Sequence, residues 1–453
     1  MTPQYLCRII GLLLLSGSVA AQSATQLQTL LQQAEKRYPS LNAKRYEADA
    51  TRQQTNVLKT SLLPSLDATA QANLATYNNL TGMFYPAGLL PISGPPSTGN
   101  NAQPVAGSAA SFLMNWSPFT FGYLDSRMAV AEAELAVKLA EGSDERLRIV
   151  ASVAKAYLDA LLQQELARLA GRNTARADSL LRQVRTLVRQ GLRPELDTAL
   201  VRSELIRAEV EQINAQAAAD QARLTLAEWI ATPDTTFALT DTQLLARLPR
   251  TQPAANTDLH PAEQIGKTQV DLELARRTQI RRSYLPRLTF WGTTYARGSG
   301  IDYRGEVNTW EGLAFSRFNY GAGVHLTVPL LRAAERTALL SQQDFRRQAA
   351  AERLNQTRLT LDGQRRSAAL LRQQTEQVAR RLPLQVQAAQ QAYTALQVRY
   401  QTGLVSLTDV IQTQYALLKA ESDNQVATLA VWRALLLEAY ARGDLSYFLQ
   451  ALD

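Results

Sequence analysis

The chain has 453 residues, of which 46% are hydrophobic and 19% charged, and its formal net charge at pH 7 is +8. This length suits two or three ordinary domains. The basic clusters are short, lie within amphipathic helix patterns and lack the interleaved aromatic residues of a base-stacking surface, so we expect no nucleic-acid partner.

The N-terminus has the pattern of a secretory signal peptide. A short, weakly basic start precedes the apolar run IIGLLLL and the small residues of SGSVAAQ, which predicts cleavage after Ala21. A retained N-terminal anchor is the alternative. Cys7, the single cysteine, precedes the apolar run, so we expect a mature protein without disulfides or a lipidated cysteine. No later run reaches the ~18 apolar residues of a membrane helix.

The rest of the sequence contains two copies of one plan. Residues 36–66 align with residues 258–288 at an offset of 222, whereas VRQGLRPELD and YQTGLVSLTD align at an offset of 212. The first copy therefore carries an insertion of about ten residues. We divide the chain into a signal peptide (1–21), a first repeat (22–231), a linker or equatorial segment (232–257), a second repeat (258–441) and a C-terminal tail (442–453).

Each copy is predicted as a helix, a strand, a loop, a strand, a very long helix, a turn and a return helix. The opening helices cover about residues 27–60 and 261–282, and the long helices about 120–190 and 332–402. At 1.5 Å per residue, each long helix is a rod roughly 105 Å long. Pro383 is the one candidate break. Small inward residues predict coiled-coil-like packing, and a plain elongated coiled coil is the alternative.

The predicted strands alternate between apolar and polar residues. SLDATAQANLATY and RFNYGAGVHLTVPL alternate cleanly, and FLMNW places three large apolar residues on one face, whereas PRLTFWGTTYAR is ambiguous. Lengths of about 9–11 residues match membrane barrel strands, although half-buried strands of a soluble sandwich alternate in the same way. Four strands cannot close a barrel. Open sheet edges are not tolerated in lipid, so several copies would have to share one barrel.

Catalytic and metal-binding motifs are missing from the sequence. It has only two histidines, His260 and His325, and neither has a partner ligand at helical spacing. It contains no phosphate-binding loop, dinucleotide-binding turn or nucleophile elbow. We therefore expect no enzyme activity, no catalytic residue, no cofactor and no bound metal.

Several features together resemble the TolC-like outer-membrane efflux proteins. They are the signal peptide, the duplicated plan, LLPSL and YLPRL before strands, PF and PL before the long helices, and YQTGLVSLTDVIQTQYALL. The resemblance implies a mixed α and β membrane protein with an internal tandem duplication. Its homotrimer would form one 12-stranded transmembrane β-barrel, four strands per chain, continuing into a long periplasmic α-helical barrel.

The same resemblance implies a function and partners. The chain would be a passive exit duct for small molecules, such as drugs and toxic compounds, across the periplasm and outer membrane. It would work with a periplasmic adaptor (membrane fusion) protein and an inner-membrane pump, and its barrel would contact outer-membrane lipid. The exit duct of a type I protein-secretion system is one alternative. A non-conducting trimeric structural or adhesive coiled coil is the other.

The resemblance also assigns roles to the two similar turns. Adaptor contact at the periplasmic tips is assigned to Gly191, Leu192, Gly403 and Leu404. A plain helix C-cap glycine with a buried leucine is the alternative at each turn. Asp409 matches an aperture position of the family, and Asp197 holds the corresponding place in the first copy. The alternative for each aspartate is an N-cap of its return helix. Gln412 stands where relatives often carry a second acidic residue, which puts a double acidic ring in doubt.

Overall fold

A computed structural model describes residues 26–76, 78, 99–233, 235, 237, 239–249, 259–302 and 304–452. The predicted signal peptide lies outside these residues. The described helices are α1 Gln26–Arg37, α2 Pro39–Thr60, α3 Tyr123–Arg189, α4 Glu195–Trp229, α5 Pro261–Ser283, α6 Ala333–Gln401, α7 Leu407–Arg442 and α8 Ser446–Gln450. The strands are β1 Ser65–Thr76, β2 Pro104–Phe119, β3 Arg287–Ser299 and β4 Arg317–Thr327.

The mixed α and β class is confirmed, and the element order repeats in the second half of the chain. None of the described helices has a stretch that is both long and apolar enough to cross a membrane. The five predicted segments remain a prediction. The two compact units of the structure do not test them, since each unit is assembled from separated stretches of chain. The described residues of the first unit fall within 1–38, 147–256 and 365–453, and those of the second within 39–146 and 257–364.

One proline explains a difference between expectation and structure, and a second does not break the helix that contains it. The predicted helix over residues 27–60 is wrong as a single element, because α1 ends at Arg37 and α2 begins at Pro39. A proline lacks the backbone N–H of a helix interior and disfavours the helical conformation at the preceding residue, but it is well suited to a first turn. Pro383, by contrast, lies inside α6 without ending it.

The four strands form one antiparallel sheet in the order β1-β2-β3-β4, within the second unit. The register pairs Ala68 with Phe112, Phe112 with Thr294, and Thr294 with Tyr320. β1 and β4 are the two edges and do not pair with each other. One copy of the chain therefore provides an open sheet.

The register gives the sheet one apolar and one polar face. The apolar face carries large side chains that are exposed in the single chain, namely Leu66, Leu74, Phe112, Trp116, Phe318, Tyr320, Val324 and Leu326. The register also shows which side chains of β3, ambiguous from the sequence, lie on which face. Phe290 pairs with Val324 on the apolar face, whereas Trp291 lies on the polar face. Trp291 fits there because Gly323 leaves room: a Cβ at residue 323 would lie 2.8 Å from the indole.

The first unit has a core of large buried side chains near its C-terminal helices. Trp432 of α7 is fully buried, meets Phe448 of α8 edge to face, and donates to the carbonyl oxygen of Leu244 at 2.8 Å. Tyr157 of α3 donates to Asp241 at 2.7 Å. These polar contacts satisfy groups that burial would otherwise leave unpaired, so the segment after α4 is fixed to the helices.

Candidate functional site

The two similar turns have the same backbone geometry. Gly191 and Gly403 adopt left-handed φ angles of 70° and 83°. After α3, Leu192 N–H donates to Leu187 and Gly191 N–H donates to Val188. The turn after α6 repeats both bonds, which defines a Schellman motif. Among the residues that the structure describes, nothing lies within 4 Å of a Cβ built at either glycine, so the left-handed φ explains the residue type.

The leucines that follow these glycines are not buried. Leu192 is 65% exposed and Leu404 is 75% exposed. The alternative of a capping glycine is therefore right for the glycines, but the buried leucine that it included is wrong for both turns. Each turn therefore presents an exposed apolar side chain beyond the end of a long helix.

The two predicted aperture aspartates occupy the same helical position but have different environments. Each is the third residue of its return helix, so the N-cap alternative is wrong; the N-caps are Pro194 and Ser406. Asp409 is exposed and forms a capping box with Ser406. Pro194 has no side-chain oxygen and makes no such cap, which leaves the Asp197 carboxylate available for another partner.

That partner is Tyr400, near the end of α6. Its hydroxyl donates to a carboxylate oxygen of Asp197 at 2.7 Å, in a buried contact. Burial first, and then this carboxylate, raise the pKa of Tyr400 well above its ordinary value, so the phenol keeps its proton. Arg193 donates to the Tyr400 carbonyl oxygen and lies over its ring, 4.2 Å from the centroid. Asp197 is thus grouped with Tyr400 and Arg193 rather than with Asp409.

Gln412 and Asp409 form a separate pair of positions. Both are exposed on α7 and stand three residues apart, which places them on one side of the helix. The structure of one chain therefore brings Asp409 and Gln412 near each other. Their aperture role stays a prediction.

The Tyr400–Asp197 contact joins two helical hairpins. The first hairpin consists of α3, residues 190–194 and α4; the second consists of α6, residues 402–406 and α7. Beneath the contact, both hairpins contribute to one hydrophobic cluster whose buried members are Leu180, Leu181, Val184, Val201, Tyr393, Tyr400, Leu407, Val410 and Leu417. The tips thus rest on a four-helix core.

Further polar contacts tie the first hairpin to the second. Tyr415 of α7 donates to Glu204 of α4, and burial followed by this carboxylate raises the pKa of Tyr415 to about 12. Arg176 of α3 binds both carboxylate oxygens of Glu421 on α7, at 3.2 and 2.6 Å. Bidentate pairs of this kind fix orientation as well as distance.

These linking residues were not predicted from the sequence. The fragment SLTD, residues 406–409, does contain the pattern of a capping box, and PELD at 194–197 lacks its hydroxyl. The missing hydroxyl at residue 194 indicates that Asp197, unlike Asp409, has no capping-box partner. The partners Tyr400 and Tyr415 lie about 200 residues from Asp197 and Glu204, and helical periodicity does not reveal such pairs.

The polar face of the sheet carries more positive than negative charge. In the register, Arg287, Arg297 and Arg317 lie on this face with Asp67. Arg297 and Arg317 are direct cross-strand partners, a placement that costs energy for like charges. In the described part of the chain, no group of three or more His, Cys, Asp and Glu side chains could hold a metal ion.

Comparisons with known proteins identify the family. The sequence profile of the family "Outer membrane efflux protein" matches residues 30–232 and 260–436, most of the chain. A search of curated protein sequences gives no match. Among solved structures, the outer membrane protein VceC of Vibrio cholerae is 16% identical with a TM-score of 0.70, covering 92% of this chain and 96% of that one.

Two further solved structures are similar over nearly their whole length. CusC is 14% identical with a TM-score of 0.72 and 92% coverage of both chains. The open state of the MtrE outer membrane channel of Neisseria gonorrhoeae is 18% identical with a TM-score of 0.68 and 98% coverage of both. These likenesses show a shared fold. Since the family profile spans both halves of the sequence, the chain belongs to the outer membrane efflux protein family and is an outer-membrane channel protein.

Proposed function

We propose that three copies of this chain assemble into one passive exit duct for small molecules across the periplasm and outer membrane. The observation that carries the proposal is the open four-stranded sheet with one exposed apolar face. In lipid, the unpaired backbone groups of β1 and β4 have no water to bind, so each edge must pair with another copy. The number three follows from the family resemblance and gives twelve strands.

Small molecules are the cargo that the proposed duct suits. The polar face of the sheet would line the barrel, and the exposed helix faces would line its periplasmic continuation.

An inner-membrane pump and a periplasmic adaptor would drive export, since nothing in the sequence predicts an energy-converting site. The family consists of channels rather than enzymes, and we expect no enzymatic activity here.

Planar lipid bilayers test the duct directly. Purified protein should give discrete channel currents, and the Asp409→Ala variant should conduct at least as well if this residue narrows the aperture. Silence from both proteins would overturn the duct and favour the adhesive coiled coil. Deleting the gene and measuring sensitivity to drugs, metals and dyes beside protein secretion separates small-molecule export from a type I secretion duct.

The exposed leucines at the turns are the proposed adaptor contacts. Replacing Leu192 and Leu404 together by Asp should abolish export in cells, because charged side chains would replace two apolar contacts of the kind that anchor interfaces. Channel currents of the purified variant should be unchanged. Drug accumulation in cells measures the loss.

Gln190→Asp together with Thr402→Asp is the matched control for the leucine variant. It adds the same charge to the same two turns at residues that are already polar and exposed, and export should persist. Export that survives Leu192→Asp with Leu404→Asp would show that the tips do not contact the adaptor through these residues.

A further inference from the structure

The connection between β3 and β4 folds back over the outside of the sheet. Gly300 N–H donates to the carbonyl oxygen of Ala106 at 3.0 Å. Ser108 Oγ donates to the carbonyl oxygen of Gly312 at 2.7 Å. Ala106 and Ser108 lie on the apolar face, because they pair with Leu74 and Ala72. The connection, which contains a 3-10 helix at Thr309–Leu313, therefore covers the end of the face that we assign to lipid.

Three glycines make this contact closer than any other residue would permit. A Cβ at Gly312 would lie 1.8 Å from the carbonyl oxygen of Ala106, and one at Gly298 would lie 2.1 Å from that of Ala314. A Cβ at Gly300 would lie 2.7 Å from the carbonyl oxygen of Thr309. Ala106 is consequently buried. Backbone packs on backbone here, so the position of the connection is built into the fold.

Among the described residues of the connection, three large apolar side chains are exposed. Trp310 is 70% exposed, and Leu313 and Phe315 are about half exposed. We call these three residues the apolar patch. The same connection carries four exposed charged residues, Asp302, Arg304, Glu306 and Glu311. Phe318 and Tyr320, which follow within five residues of Phe315 at the start of β4, are also exposed and lie on the apolar face.

We propose that the apolar patch is an interfacial anchor that inserts into the boundary between lipid headgroups and acyl chains. The proposal rests on the proposed function, which places the apolar face against lipid. Trp, with an apolar body and one N–H donor, is the side chain most favoured at this depth. The exposed charged residues of the same connection suit headgroups and water. The connection would thereby set how deeply the sheet sits in the membrane.

Fluorophore depth in liposomes tests the anchor. The mature chain is predicted to contain no cysteine, so Trp310→Cys can carry a single nitrobenzoxadiazole label. Phospholipids with a doxyl quencher near the headgroup should quench this label more strongly than lipids with the quencher at mid-chain. Phe315→Cys provides a second label site that leaves Trp310 in place, with the same order expected.

Two reference sites make the outcomes distinguishable. A label at Val324→Cys should show the reverse order, since Val324 lies within β4 on the apolar face. A label at Leu192→Cys should be quenched by aqueous iodide alone. Iodide quenching without lipid quenching at residues 310 and 315, with Val324 still quenched by lipid, would overturn the anchor. Protection from both quenchers would overturn it in favour of a contact between copies. Loss of lipid quenching at Val324 as well would contradict the proposed function itself.

Discussion

Val324→Arg should prevent assembly of the protein in lipid, whereas His325→Arg should leave assembly intact. The two residues are neighbours on β4 and lie on opposite faces of the sheet. Val324 pairs with Phe290 on the apolar face, and His325 pairs with Thr289 on the polar face. An Arg on the lipid face of a barrel costs roughly 2–4 kcal/mol near the bilayer midplane. Three copies would each carry that cost in one barrel.

The measurement is the yield of folded oligomer after insertion into liposomes. Unheated gel electrophoresis and protease resistance both report it. The Val324→Arg sample should remain monomeric and protease-sensitive, while His325→Arg should match the unmodified chain. Equal assembly of the two variants would show that the apolar face does not meet lipid, and the membrane orientation of the sheet would be wrong.

The second large effect is expected at the contact between the hairpins. Tyr400→Phe removes the hydroxyl that donates to Asp197 and leaves a buried carboxylate without this partner. Hydrogen bonds to charged groups contribute about 1.5–3 kcal/mol each. If the hairpins separate when the duct opens, this variant should raise the open fraction, and three copies would add their effects. Higher resting conductance in planar bilayers is the expected result.

Tyr393→Phe is the matched control for this variant. Tyr393 is a buried tyrosine of the same hydrophobic cluster, seven residues earlier on α6, so the substitution changes the same chemical group in the same core. Its conductance should stay close to that of the unmodified protein. If Tyr400→Phe lowers thermal stability without changing conductance, the contact holds the fold together but does not govern opening.

Local signals in the sequence were sufficient for most of the fold. Alternation predicted the strands, long uninterrupted periodicity predicted α3 and α6, and the glycines at 191 and 403 marked the turns. The family, the mixed class, the outer-membrane location with a periplasmic extension and the exit duct are confirmed. Adaptor contact by the tip residues and the aperture role of Asp197, Asp409 and Gln412 stay predictions.

The missed features depend on contacts between distant parts of the chain. Sequence spacing treats Asp197 and Asp409 alike, yet only Asp197 meets a buried tyrosine from the other hairpin. Likewise, Gly312 has the appearance of an ordinary loop glycine until Ala106, about 200 residues earlier, leaves no space for a Cβ. Such constraints exist only after the chain has folded, so local pattern does not show them.

The cross-strand arginine pair has a consequence for ion flow. The like charges of Arg297 and Arg317, which pair across β3 and β4, would attract mobile anions, and three copies would place six such guanidinium groups around one rim. Screening extends about 10 Å at 0.1 M salt and farther in dilute solution. Chloride would therefore stay concentrated at that rim when the salt of the bath is diluted. The channel current would then fall less steeply than the bulk salt concentration.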